Sequence, residues 1–186
     1  MEIKETDEQL YSSFLKSGDS RDLEKLLERH RESLTLFLYG FVHDMEDSEE
    51  LMMDAFAVLL SKAPGFSGKS SFKTWLFAVG RNLALKHLRK MRRIPWPVEY
   101  EKAEAQSRDT GPETKILKDE QSRQLYAALE KLIPEYRQVL HLIYIDGMSS
   151  EEASLVMKKT KKQVYNLTAR GKAMLKEELE KMGFDQ

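Results

Sequence analysis

The stretch SSEEASLVMKKTKKQVYNLTARGK, Ser149 to Lys172, decides how the chain is read. Ser149 followed at three by Glu152 fits a capping box, and Thr160 followed at three by Gln163 fits a second one only a few residues later. The first opens a short helix with Ala153, Val156 and Met157 inward; the second opens a longer helix with Val164, Leu167 and Met174 or Leu175 for packing. Short helix, tight turn and longer helix is helix-turn-helix spacing. The outward side of the longer helix then carries Tyr165, Asn166, Ala169, Arg170 and Lys172, with Lys161, Lys162 and Gln163 at its start. Arginine pairs with guanine and asparagine with adenine through two hydrogen bonds in the major groove, while lysines at a helix N-terminus neutralise phosphates.

Working outward, charge is segregated along the chain although the formal net charge is only -1. Residues 1–54 hold 6 Lys/Arg against 15 Asp/Glu, 55–95 hold 9 against 0, 96–157 hold 7 against 12, and 158–176 hold 7 against 0. Two basic blocks flanked by acid are expected where two local surfaces meet a polyanion and other surfaces meet something else.

Upstream the pattern is helical throughout, because apolar residues recur at three and four and no segment alternates strictly. Leu23, Leu26, Leu27, Leu34, Phe37, Leu38 and Phe41 mark one long helix. Asp47, as an N-cap with Glu50 at N3, is expected to open a second, with Leu51, Ala55, Val58 and Leu59 buried and a stop at Ala63-Pro64-Gly65. Phe72, Trp75, Leu76, Val79, Leu83 and Leu88 trace a third, with Trp75 assigned to packing. Ile94 to Glu113, with three prolines, cannot be one continuous helix and reads as a linker. Beyond it, Leu125, Leu129, Leu132 and Ile133 predict a helix, and Pro134 opens another that ends at Asp146-Gly147. The fold class expected is all-α: two small helical domains, 1–95 and 115–186, joined by a flexible linker, 96–114.

Composition excludes several functions. There is no cysteine, so disulfides and thiolate metal sites are ruled out. The four histidines, His30, His43, His87 and His141, stand at no ligand spacing, so no metal and no cofactor is expected. No apolar run approaches the roughly 18 residues a membrane span needs, and MEIKETDEQL is too acidic for a signal peptide, so a cytoplasmic protein without membrane insertion is expected. The acidic run Asp44 to Glu50 lacks calcium-loop spacing, no phosphate loop is present and no Ser/His/Asp set is identifiable, which argues against an enzyme. A helix-turn-helix repressor is the other alternative, but it has no use for the second basic block at 55–95, where Arg81, Lys86, Arg89 and Lys90 are spaced along one helix for phosphate contact.

In this order of parts the chain resembles the extracytoplasmic function sigma factors, the minimal bacterial group of the sigma-70 family. DSEELMMDAFAVLL is similar to the family's region-two helix that docks on the RNA polymerase clamp, and FSGKSSFKTWLFAVGRNLALKHLRK to its promoter-melting and minus-10-reading segment. IPEYRQVLHLIYIDGMSSEEASLVM with KKTKKQVYNLTARGK is similar to its region-four helix-turn-helix. The resemblance implies a non-catalytic subunit that binds core RNA polymerase through Asp47, Glu50, Leu51 and Asp54. It implies promoter DNA as the second partner, both as duplex and as melted non-template strand. Arg170 and its neighbours would read the minus-35 element, and the loop Phe66-Ser67-Gly68-Lys69 would form, with Asn82, a pocket for a flipped base. An anti-sigma factor is the expected inhibitor. Four positions depart from the family pattern: Lys158 stands where the turn usually has glycine, Met53 where glutamine is frequent, and Thr168 and Gly171 replace an apolar residue and an alanine in the recognition helix.

Overall fold

The computed structural model describes residues 5–61, 65–93 and 119–183, and among them the chain forms eight α-helices and one π-helical turn, with no strand. Helix α1 spans Asp7–Ser17, α2 Ser20–Val42, α3 Met45–Leu60 and α4 Phe72–Arg93. After the linker, which lies outside the described residues, come α5 Glu120–Glu130, α6 Pro134–Leu140 continued by a π turn His141–Ile145, α7 Ser150–Met157 and α8 Lys161–Lys181.

Helix α1 was not expected, although its signals are in the sequence. Thr6 and Gln9 form a capping box, with Gln9 N–H donating to Thr6 Oγ1 at 3.2 Å and Thr6 N–H to Gln9 Oε1 at 2.8 Å. Leu10 and Tyr11 are buried one turn on. Asp7 then ties α1 to α2, 2.8 Å from Arg29 and 2.6 Å from His30. Helix α3 corrects the expected N-cap. Asp44, not Asp47, holds that place, and its Oδ1 accepts from the Asp47 N–H at 2.9 Å. His43 ends α2 in the left-handed region, φ 56°, so the chain has already turned by Asp44 and the helix begins three residues early. Its expected stop at Ala63-Pro64 lies outside the described residues, the last helical residue being Leu60. Leu132 and Ile133 fall beyond the end of α5: Ile133 is exposed and stands as the N-cap of α6, with Pro134 in the first turn as expected.

Helix α2 is the centre of the molecule. Its face should be one apolar stripe, yet every residue from Leu34 to Phe41 is buried. A helix apolar all round is covered on all sides. The other helices of the first half cover one side, and α6 with its π turn covers the rest, so a continuous apolar cluster runs from Leu10 to Val164. The two halves are therefore docked as well as linked.

Arg137, on α6, fixes this docking. Its guanidinium donates to the carbonyls of Leu129, Glu130 and Leu132 at 3.1, 2.9 and 2.9 Å, closing the α5–α6 turn. It also donates to the Gly40 carbonyl on α2 at 2.7 Å and lies 2.9 Å from His43 Nε2. A Cβ at Gly40 would come within 3.1 Å of Arg137 Cδ, so only glycine admits this approach without displacement.

A second polar cluster lies beside it. The π turn bonds Asp146 N–H to the His141 carbonyl at 2.9 Å and brings the two side chains together, His141 Nε2 standing 3.1 Å from Asp146 Oδ2 at ion-pair distance without hydrogen-bond alignment. Asp146 Oδ1 accepts from Ser33 Oγ of α2 at 2.6 Å and pairs with Lys73 Nζ of α4 at 2.9 Å. Burial pushes the Asp146 carboxyl up, but His141, Ser33 and Lys73 together outweigh it and hold the carboxyl below its ordinary value.

Two expectations follow. Arg137→Met should cost about 3 kcal/mol in urea unfolding, since it strands buried carbonyls, and Arg137→Lys should rescue little because an ammonium lacks the planar fork. Asp146 has a depressed folded pKa, so its contribution is full above the ordinary aspartate value and is lost as pH falls through the lowered one. Asp146→Asn should therefore be less stable than the parent at neutral pH, and denaturation midpoints followed into acid should converge below the ordinary aspartate value.

Candidate nucleic-acid interface

The helix-turn-helix forms as the sequence predicts. Glu152 N–H donates to Ser149 Oγ at 3.2 Å and Ser149 N–H to Glu152 Oε2 at 3.0 Å; Gln163 N–H donates to Thr160 Oγ1 at 3.2 Å and Thr160 N–H to Gln163 Oε1 at 2.8 Å. Between the two helices lie only Lys158, Lys159 and Thr160. Lys158 takes φ 53° and ψ 46°, and the N–H groups of Lys158 and Lys159 both reach the Ser154 carbonyl. This left-handed C-cap is the conformation that favours glycine. Lys158 occupies it at a steric cost.

On α8, Val164 and Gly171 are buried and Leu167 and Leu175 pack partly against the core, whereas Met174 is exposed, so Leu175 is the packing residue. Lys161, Lys162, Gln163, Tyr165, Asn166, Ala169, Arg170 and Lys172 are all exposed, Tyr165 at 71%. They are not equivalent. Gln163 uses its carbonyl oxygen in the capping box, leaving only its amide NH2 to reach outward. Lys161 pairs with Glu151 at 2.9 Å, and Lys172 stands 5.5 Å from the Tyr144 ring centroid, turned toward α6. Among the described residues Lys162 and Arg170 have no ion-pair partner. Thr168 bonds back to the Val164 carbonyl at 2.9 Å, which lets a hydroxyl occupy a half-buried site. Gly171 is explained by packing: a Cβ there would sit 3.3 Å from Leu140 and from Tyr136, so the residue that weakens the helix lets it lie close to α6.

The second basic surface is on α4. Asn82, Lys86, Arg89, Lys90 and Arg92 are exposed on a helix without one acidic residue. Arg81 is the exception. It is half-buried, its Nε donating to Gln138 Oε1 of α6 at 3.3 Å, and burial pushes its guanidinium down from the usual value. In the loop, Ser67, Gly68 and Lys69 are exposed, but Phe66 packs inward on Tyr11, Phe72 and Trp75, with ring centroids 6.2, 6.0 and 6.0 Å apart. Trp75 is a packing residue of this cluster, as expected. Phe66 lies at the start of α4 and Asn82 ten residues beyond Phe72, about 15 Å along the axis. Neither makes a ring or hydrogen-bond contact with the other in the described structure.

On α3, Glu50 and Asp54 are exposed, while Leu51 is buried and belongs to the core. Asp47 Oδ2 lies 3.4 Å from His87 Nε2 of α4. Between the helices runs an open groove of about 610 Å³, with Glu50 and Asp54 on one bank and Lys86, Arg89 and Lys90 on the other. An acidic helix thus borders a basic one across a shallow trough. Among the described residues no group of three His, Asp or Glu side chains could hold a metal, and no helix is long and apolar enough to cross a membrane.

The fold and these two surfaces define a class: an all-helical nucleic-acid reader with a helix-turn-helix in its second half and a basic helix in its first. Known proteins give the family. The model of Sigma-70 region 2 matches residues 26–94 and that of Sigma-70, region 4 matches 122–175. The extracytoplasmic function RNA polymerase sigma factor SigX of Bacillus subtilis is 26% identical over 159 residues, covering 83% of this chain and 82% of its own. The RNA polymerase sigma-H factor of Pseudomonas aeruginosa is 28% identical over 165 residues, covering 84% and 85%. Among solved structures, CnrH in complex with the cytosolic domain of CnrY has a TM-score of 0.64 at 24% identity, covering 95% of this chain and 98% of that one. The sigma factor RpoE in complex with the anti-sigma factor NepR from Bartonella quintana has 0.68 at 21%, covering 86% and 98%. The chain belongs to the sigma-70 family, in its extracytoplasmic function group, and is a sigma factor rather than an enzyme.

Lys158 carries a direct test. Lys158→Gly should raise stability by about 1 kcal/mol by relieving the left-handed strain, read as a higher urea midpoint, while Lys158→Val should lower it.

Proposed function

We propose that this sigma factor directs promoter-specific initiation through two separate DNA contacts, with 1–95 and 115–186 as its working units and 96–114 as the linker. The observation that carries the reading is the pair of basic faces, α4 and the 161–176 stretch of α8, each free of acid and each matched to a different region of the family. On α8, Asn166 and Arg170 are proposed to read base edges of the minus-35 element, with Tyr165 and Ala169 beside them and Lys161, Lys162 and the helix N-terminus holding phosphates. On α4, Lys86, Arg89 and Lys90 hold the backbone of the minus-10 element, and Asn82 contacts the melted non-template strand. The base pocket at Phe66 to Lys69 requires Phe66 to leave its aromatic cluster on binding. Asp47, Glu50 and Asp54 face core RNA polymerase, and Leu51 supports them from the core. A sigma factor that works on polymerase works in the cytoplasm, and the partners seen with the solved relatives make an anti-sigma factor the proposed inhibitor.

Core polymerase reconstituted with this chain tests the reading through run-off transcription on genomic fragments. Selective initiation is expected. Absence of both polymerase binding and initiation overturns it. On a promoter found in this way, Arg170→Ala should lose about 1 to 3 kcal/mol of discrimination against a mismatched minus-35 element, whereas Lys162→Ala should weaken all duplexes alike and reduce the salt slope by about 1.

A further inference from the structure

Apart from Arg137 on Gly40 and His43, the polar contacts between the halves concentrate at one place, away from the DNA-reading face of α8. Asp146 has a side chain only 1% exposed, yet two of the groups it meets come from the other half of the chain, Ser33 and Lys73. Lys73 also donates to the Asp146 backbone carbonyl at 2.8 Å. One helix further on, Glu152 divides its carboxylate. Oε2 accepts from its own capping partner Ser149, while Oε1 accepts from Ser71 Oγ at 2.9 Å and Thr74 Oγ1 at 3.2 Å at the start of α4. The third point is Arg81 on Gln138.

We propose that these contacts form a latch that holds the free sigma factor closed, with Lys73–Asp146 as its bolt, and that opening the latch releases Arg81 to join the basic face of α4. The chemistry suits a contact that must come apart. Carboxylates, an ammonium, hydroxyls and an amide are all rehydrated on separation, while the apolar contact of α2 with α6 and its π turn opposes it, so the polar points decide how easily the closed form opens. It also makes the closed form sensitive to a single change. Removing Lys73 leaves Asp146 buried against α2 and α4 without its cationic partner from the other half, and the way to hydrate that carboxylate is to part the halves. Glu152 works in the same direction, since its capping duty within α7 survives opening and only Ser71 and Thr74 are given up. The release of Arg81 rests on the promoter reading above. The latch itself does not.

The chain contains no cysteine, so cysteines introduced at the exposed positions Glu24 on α2 and Glu177 on α8 can carry a donor and an acceptor dye on the full-length protein. Single-molecule transfer on the free parent should give one narrow population. Lys73→Met should add a second, broader population, with the open fraction raised about tenfold or more, as expected from loss of a charged hydrogen-bonded contact. The double change Ser71→Ala with Thr74→Val should move the distribution the same way at the other contact. Helicity by circular dichroism, unchanged in both, assigns the shift to undocking and not to unfolding. A parent already broad, or variants that keep the parent's single population while folded, would overturn the latch. Polymerase-directed transcription measured on the same variants is a separate readout, and its failure alongside a clear transfer shift counts against the promoter reading alone.

Discussion

The architecture depends on a buried guanidinium. Arg137 spends its donors on the turn between α5 and α6 and on the end of α2, so one side chain both closes the second half's first hairpin and holds that hairpin against the first half. A buried arginine is costly unless its donors are satisfied, and here the acceptors are mostly main-chain carbonyls, which substitution elsewhere cannot remove. The surrounding sequence is arranged to permit it: Gly40 leaves room, and the eight residues Leu34 to Phe41 are apolar enough to be enclosed on every side.

Around that centre, charge is distributed by task. Acid gathers on α3 and in the first turns of α1 and α7, where it meets helix N-termini, and base gathers on α4 and at the start of α8. The start of α8 is an unfavourable place for lysine as far as the helix dipole is concerned, since like charges meet there. A stretch selected for stability alone would carry acid at Lys161 and Lys162. Glu151 offsets Lys161, and Lys162, without an ion-pair partner among the described residues, fits the proposed phosphate contact, which cancels the repulsion on binding.

Local signals made much of this legible. Both capping boxes of the helix-turn-helix, the proline opening α6 and the three-residue turn follow from rules that act within four residues, and each formed as the sequence implied. So did the outward set on α8, because a 3.6-residue period leaves little choice once Val164 and Leu167 are inward. What escaped the sequence was decided by contacts far apart in the chain. Arg81 looked like a phosphate contact and is turned to Gln138, 57 residues on. Phe66 was expected in an open pocket, but Tyr11 of an unanticipated helix supplies a ring for it to pack against. The π turn had no local signature either, and it is what brings His141 beside Asp146. The one clue to docking is local: the run Leu34 to Phe41, apolar but for Thr35, has more faces to cover than one small bundle provides.

Helix α8 separates its duties by side. Val164, Gly171 and Leu175 hold it in place, while Tyr165, Asn166, Ala169 and Arg170 touch nothing the fold requires. Changes in the outward set therefore leave the scaffold intact, and under the proposed base-reading role descendants of this chain are free to diverge in the DNA they recognise without first acquiring compensating core mutations. Gly171 sets the boundary of that freedom. It is a position in the recognition helix where a larger side chain must displace Leu140 and Tyr136 before it alters recognition at all.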